Sequence, residues 1–130
     1  MICRIGRVST ALTILLAAGS VSAHHSFQTV FDVSKPILLT GMLTRVGWIN
    51  PHVAISLDVK DDGGQTESWV IEAGPPSFFR SRDVARSAFE NAVGQLVTVE
   101  ALRARDNSHR GSLLKITFQD GKIVTSSPGA

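Results

Sequence analysis

The chain has 130 residues, which is enough for one domain preceded by a short segment and too few for two domains. Charged residues make up 18% of it, and its 11 glycines and 5 prolines are too few for a disordered or collagen-like protein. We therefore expect one ordered globular domain.

The first 23 residues have the layout of a secretory signal peptide. Arg4 and Arg7 are followed by an apolar run at residues 11–18 and then by small residues that end at Ser22 and Ala23. The apolar run is well short of the roughly 20 residues that a membrane-spanning helix needs. We expect cleavage after Ala23, or alternatively after Ser22. The mature protein is then periplasmic or secreted and has no membrane span.

The mature chain of 107 residues is expected to carry no net charge. Arg4 and Arg7 leave with the signal peptide, and the remaining 11 lysine and arginine residues balance 11 aspartate and glutamate residues. A neutral surface lacks the basic footprint of a nucleic-acid-binding protein, so no nucleic acid is expected as a partner. Cys3, the only cysteine, lies in the signal peptide as well. The mature chain therefore has no disulfide, no thiol nucleophile and no cysteine metal ligand.

The residue pattern divides the mature chain into three parts. Residues 24–36 form a mixed arm with apolar anchors such as Phe27 and Phe31, and residues 126–130 are expected to be a frayed tail. Between them, residues 37–125 repeatedly alternate apolar and polar side chains. This alternation predicts a mainly β domain.

Five strands and a short sixth are predicted in this domain. The first strand, residues 37–49, contains Gly41, which permits a bend or a bulge, and its apolar phase shifts near Arg45. The clearest strand is residues 53–59, where every second side chain is apolar. The other strands are expected at residues 67–73, 95–105, 113–118 and 122–125.

A helix is predicted at residues 77–89, between the third and fourth strands. Phe78, Ala85 and Phe89 fall on one stripe at helical spacing, and Ser81 is placed to cap the regular part of this helix. Three strands, one helix and further strands, with a bent first strand, match a small OB-like barrel of five to six strands. An open α+β sheet with the helix on one face is the alternative.

Several short motifs are spread over most of the mature chain. They are AHHSF at residues 23–27, FD and KP within residues 31–36, LTG at residues 39–41, RVGWINPHV at residues 45–53, and ARD with a following serine at residues 104–108. Together they resemble a bacterial family of small exported proteins of unknown function, DUF6152. The resemblance implies export and a small β-rich domain, and it implies no activity, substrate or catalytic residue.

The histidines carry the most informative chemistry. Cleavage after Ala23 makes His24 the first residue, so that its α-amine and its imidazole can chelate one metal ion, with His25 beside it. Cleavage after Ser22 instead places His25 third from a free amine, an arrangement that also binds Cu(II). The sequence thus predicts a site for copper or a related metal at His24 and His25, with His52 as the candidate third ligand. The alternative is that the two histidines form a solvated tail.

Two predicted loops are candidates for ligand binding. In an OB-type barrel, the loop between strands one and two and the loop between strands four and five border the usual ligand face, so here they could meet over one patch. The alternative places the indole of residue 48 in the core and gives His52 a hydrogen bond to the backbone. The candidate ligand-binding residues at these loops are Trp48, Asn50, Arg105 and His109.

The sequence contains no pattern that supports catalysis. It lacks a G-x-S-x-G nucleophile elbow, and the adjacent carboxylates Asp61 and Asp62 belong to a glycine-rich turn. We therefore expect no enzymatic activity. One expected function is an exported domain that binds copper through its histidine-bearing N-terminus. The other is a metal-free periplasmic module that holds a small ligand or another exported protein through residues 48–52 and 103–110.

Overall fold

The structure is a computed structural model, and it describes residues 27–127. The expected signal peptide, His24 and His25 lie outside the described residues. In chain order, the elements are α1 (Phe27–Val30), β1 (Phe31–Trp48), β2 (Val53–Lys60), β3 (Thr66–Glu72), α2 (Pro76–Arg80), α3 (Arg86–Glu90), β4 (Leu96–Ala104), β5 (Arg110–Thr117) and β6 (Ile123–Thr125). Among these residues, no helix has the length and the apolar character that a membrane span requires.

Five of the six strands form a closed ring. Strand β1 pairs with both β2 and β4, β2 pairs with β3, and β4 pairs with β5, all of them antiparallel. A parallel pairing of Val70–Glu72 in β3 with Arg110–Ser112 in β5 completes the ring, and β6 is added to β5. The predicted mainly β fold is confirmed. The pairing of β3 with β5 closes the ring of strands, whereas an open sheet has two unpaired edges.

Strand β1 changes partners at Gly41. Residues up to Met42 pair with β4, and residues from Gly41 onward pair with β2. A Cβ atom at position 41 would lie 2.5 Å from the carbonyl oxygen of Asp58, so only glycine lets the two backbones approach this closely. The register with β2 then shifts between Leu43 and Arg45. This irregularity is the physical cause of the shift in apolar phase that the sequence shows near Arg45.

The main core lies inside the ring. Buried residues alternate with half-buried ones along β2 up to the exposed Lys60, as the sequence predicts, and Ile55 and Leu57 are at most 1% exposed. Phe79 of α2 and Phe89 of α3 are fully buried, and their rings lie 5.5 Å apart. The two short helices therefore contribute their largest side chains to the core that the strands enclose.

The prediction of one helix at residues 77–89 is wrong. Two short helices, α2 and α3, occupy this region and are separated by a turn. Ser81, expected to cap the regular part of the helix, instead follows α2 as its C-terminal cap residue, and Asp83 adopts a left-handed φ of 57°. A residue with positive φ cannot continue a right-handed helix, so the chain must turn before α3 begins.

Strands β1 and β5 begin earlier than the sequence predicts. Strand β1 starts at Phe31 rather than at residue 37, so half of the expected arm belongs to it. The pairing of β1 with β4 is irregular between Phe31 and Pro36, which explains why these residues show no alternation. Strand β5 starts at Arg110 rather than at residue 113, because its first residues pair with β3.

Candidate functional site

The short helix α1 is anchored on the outer face of the ring. Phe27 and Val30 pack against a second apolar cluster, separate from the main core. The rings of Phe27 and Phe31 lie 5.2 Å apart. The buried members of this cluster are Phe31, Leu102 and Ala104. Because His24 and His25 immediately precede Ser26 and Phe27, this anchor fixes the point at which the histidine-bearing chain joins the domain.

Arg105, the first residue of the loop between β4 and β5, holds α1 in place. Its backbone amide donates to the carbonyl oxygen of Val30 at 2.9 Å, and its Nε donates to the carbonyl oxygen of Gln28 at 2.6 Å. Its Nη1 also lies 3.6 Å from Oδ2 of Asp32. Hydrogen bonds from the hydroxyl and the amide of Ser34, with a smaller contribution from the Arg105 cation, hold the pKa of Asp32 below its ordinary value of 3.8.

We expect the attachment of α1 to weaken in acid. The folded-state pKa of Asp32 is lower than its unfolded-state pKa of about 3.9, so its carboxylate stabilises the folded state above that pH. This contribution is lost as the pH falls through the folded-state value. Hydrogen exchange at the Arg105 amide, corrected for its intrinsic pH dependence, should therefore accelerate in acid relative to exchange at the Val99 amide.

Asp32→Asn provides the control for this measurement. The variant should exchange faster at Arg105 already at neutral pH and should show no additional acceleration in acid. Equal protection of the Arg105 amide in both proteins at every pH would contradict the role assigned to the Asp32 carboxylate.

The same loop carries His109, whose ring stacks on Trp69 of β3. The ring centroids are 4.9 Å apart and the planes are inclined by 24°. The His109 Nε2 lies 3.6 Å from Oε1 of Glu67, and the guanidinium of Arg103 lies 5.4 Å from the centroid of the Trp69 ring. Trp69 is 4% exposed, whereas the side chain of His109 is 42% exposed. The imidazole therefore covers the indole and keeps one edge open to solvent.

The loop between β1 and β2 holds His52 at another place. Its Nδ1 lies 3.2 Å from the carbonyl oxygen of Ala73, which agrees with the backbone hydrogen bond considered as the alternative role. Asn50 is exposed, and Trp48 is half-buried with its ring 5.4 Å from that of Phe79. Across residues 27–127, no hydrogen bond, ion pair or ring contact joins this loop to the loop between β4 and β5.

The family model for DUF6152, described as a family of unknown function, matches residues 12–113. The chain belongs to this family. No curated protein and no solved structure gives a match. The match of the family model confirms the resemblance that the short motifs show. Membership of DUF6152 implies no activity. The chemistry of the site is therefore the basis for a functional proposal.

The described part of this DUF6152 protein does not by itself assemble a metal site. Between Phe27 and Ser127, no three His, Cys, Asp or Glu side chains are grouped so that they could hold a metal ion. His52 and His109 are single donors on different loops. A metal site that uses either of them needs further donors, and His24 and His25 are the ones that the sequence analysis predicts.

A cleft of about 360 Å³ lies between α3 and the turn that joins β5 to β6. Its polar lining comes from side chains such as Asn91, Asp120 and Lys122, and no candidate residue within the described part of the chain lines it. The candidate residues that the structure describes, which are Trp48, Asn50, His52, Arg105 and His109, therefore lie outside this cleft.

Trp69 and Glu67 were not predicted as neighbours of His109. Both lie in β3, far from His109 in the chain, and they meet it because Val70 of β3 pairs with Arg110 of β5. The order of strands in an OB-type barrel, which places the third strand beside the fifth, is the one signal in the sequence that could have suggested this contact.

Proposed function

We propose that the mature protein is an exported, non-enzymatic domain that binds Cu(II), or a related divalent metal, through its histidine-bearing N-terminus. His24 and His25 supply the donors, and His52 is the third candidate ligand from the sequence. The observation that carries this proposal is the anchor of Phe27 on the outer face of the ring, directly after the histidine pair.

A terminal histidine is a chelating ligand. Cleavage after Ala23 leaves the α-amine of His24 beside its own imidazole, and nitrogen donors of these kinds suit Cu(II). Cleavage after Ser22 keeps a copper-competent end, because His25 is then third from the free amine. A mature chain without cysteine relies on such nitrogen donors and on carboxylates for metal binding.

The anchor restrains these donors before any metal arrives. His24 lies three residues before Phe27, so its backbone stays within about 10 Å of the point where the chain is held. A ligand that is tethered close to a rigid domain loses less conformational freedom on binding than one at the end of a long free tail. The bonds from Arg105 to Gln28 and Val30 add to this restraint.

We expect the mature protein to bind Cu(II) with a Kd tighter than about 10 μM, a free energy of about −7 kcal/mol. The affinity should fall as the pH is lowered from about 7.5 to about 5, because protons compete for the α-amine and the imidazoles. Isothermal titration of untagged protein measures both quantities, once intact mass has shown that the chain starts at His24.

A protein with one extra residue ahead of His24 is the matched control, since it keeps every side chain and displaces the amine. It should bind Cu(II) more weakly or with a different coordination spectrum. If the correctly processed protein binds more weakly than about 10 μM, the metal proposal fails.

A metal-free interaction module is the second candidate. It would hold a small ligand or another exported protein through the loops at residues 48–52 and 103–110. The observation in its favour is the exposure of Ile49, 69% of whose surface is open to solvent beside the exposed Asn50. Absence of copper binding in the titration above would favour this candidate over the first.

A further inference from the structure

We infer that the cleft between α3 and the turn that joins β5 to β6 binds a small basic amino acid. The inference goes beyond the proposed function, because it needs neither copper nor the chain ahead of Phe27. The cleft has a volume of about 360 Å³. This volume lies within the range of about 300–1,000 Å³ that is usual for small-molecule sites.

Small apolar side chains line the helical wall of the cleft. Ala85, Ala88 and Ala92 follow one another at spacings of three and four residues, so they lie along one side of α3 and its flanking turns. Phe118, directly after β5, belongs to the other wall and is 6% exposed. Alanine at these three positions leaves room for the aliphatic chain of a ligand.

Charged side chains of both signs line the same cleft. Asp83 lies in the turn between α2 and α3, and Asp120 and Lys122 lie in the turn between β5 and β6. Among the described residues, no ion pair within 4.0 Å joins Lys122 to either aspartate. The lining therefore offers two carboxylates and one ammonium group that do not neutralise one another.

Hydrogen bonds within the lining orient two of its acceptors. Oδ1 of Asp120 accepts from the amide of Lys122 at 2.9 Å, so the turn holds this carboxylate in place. Nε2 of Gln95 donates to the carbonyl oxygen of Asn91 at 3.0 Å, which leaves Oε1 of Gln95 as an acceptor. These oxygens suit a ligand that carries N–H donors.

A basic amino acid has the charges that complement this lining. Its α-ammonium and side-chain ammonium groups can pair with Asp83 and Asp120, and its carboxylate with Lys122, while its methylene groups cover the alanines. A neutral amino acid leaves one aspartate without a partner, and a diamine leaves Lys122 facing a further cation. The lining therefore favours lysine over both norleucine and cadaverine.

Titration of the metal-free mature protein with L-lysine, followed by nuclear magnetic resonance, tests the inference. We expect the amides of Ala88, Ala92 and Lys122 to shift with a single Kd tighter than about 1 mM, while the amide of Val99 in β4 does not move. L-norleucine lacks the side-chain ammonium group and cadaverine lacks the carboxylate. Because each loses a solvent-exposed ion pair, each should bind about threefold more weakly or worse.

Asp83→Asn and Asp120→Asn are the variants for the two cationic groups. Asparagine tolerates the φ of 57° at position 83, and at position 120 it keeps an acceptor for the amide of Lys122. Each variant should weaken the binding of L-lysine by about threefold or more. The variant that removes the partner of the side-chain ammonium group should bind L-lysine and L-norleucine equally. Asp61→Asn, in the turn between β2 and β3 and outside the cleft, is the control and should leave the Kd unchanged.

Ala88→Leu fills the helical wall and should abolish the shifts that L-lysine causes. Thermal melting shows whether this variant is folded, and Ala85→Leu replaces it if it is not. The inference is overturned if L-lysine shifts no amide of the cleft, if L-norleucine and cadaverine bind as tightly as L-lysine, or if the folded leucine variant binds L-lysine unchanged. None of these results bears on copper binding, so the failure of this inference is distinct from the failure of the proposed function.

Discussion

Replacement of Ile55 by aspartate is expected to lower the free energy of unfolding by about 3 kcal/mol or more. Ile55 is 1% exposed in β2, and it lies between Val46 of β1 and Ile71 of β3 in the two ladders. The substitution places an unpaired carboxylate among apolar side chains of the main core. Urea denaturation followed by circular dichroism measures the loss.

Ser56→Asp is the matched control, because it introduces the same charge one residue further along the same strand. Ser56 is half-buried on the opposite side of β2. Because that side is open to water, the change should cost less than about 1 kcal/mol. Similar losses in the two variants would mean that the inward and outward faces of β2 are assigned wrongly.

Gly41→Ala is expected to destabilise the protein by about 2 kcal/mol or more, an effect of overpacking. The added Cβ would lie 2.5 Å from the carbonyl oxygen of Asp58 and 2.9 Å from Cγ2 of Val59. The oxygen belongs to the backbone of β2, so the clash can be relieved only by separating the strands where β1 changes partners. Thermal unfolding monitored by circular dichroism measures the change.

Gly47→Ala in the same strand separates this clash from the general effect of replacing glycine. A Cβ at position 47 would meet only the carbonyl oxygen of Ala54 at 3.6 Å, an ordinary contact. Alanine also reduces the conformational entropy of the unfolded chain, so this variant should be within about 1 kcal/mol of the parent and can be more stable. Equal destabilisation by both substitutions would rule out the close approach at Gly41 as the cause.

The strands were predictable where one face of the chain is buried and the other is open. Strand β2 follows this rule over its whole length, and even the irregularity between Leu43 and Arg45 left a visible shift of phase. The early part of β1 was not predictable, because Phe31 is buried in the separate outer cluster while the residues after it pair irregularly with β4. Alternation of apolar and polar residues cannot reveal a strand in such a stretch.

The helical region was predicted wrongly for a definite physical reason. Phe78 and Phe89 both pack at the main core, so their spacing continues one apolar stripe across two helices. The break between them comes from the backbone at Asp83. Aspartate tolerates the left-handed conformation, and this conformation leaves no sign in the spacing of the apolar residues. Periodicity thus located the right side chains and gave the wrong number of helices.

The candidate site was predictable only in its separate parts. Local sequence identified His24, His25, His52 and His109 as donors. It could not show that Arg105 bonds to Gln28, because these residues are 77 positions apart and meet only at one end of the antiparallel β1–β4 pairing. Nor could it show the stacking of His109 on Trp69, which follows from the closure of the ring by β3 and β5.

Both ends of the described chain lie close to residues of the outer apolar cluster, and this has a practical consequence for purification. The amide of Ser126 donates to the carbonyl oxygen of Leu114, and Leu114 packs against the cluster that anchors Phe27. A polyhistidine tag at the C-terminus would therefore follow residues that lie close to this cluster, and it would offer competing imidazoles to the metal ion of the proposed site. A tag ahead of His24 would block the amine. A metal titration of this protein accordingly requires a tag that is removed without leaving a residue, or one inserted in the exposed turn at residues 61–64.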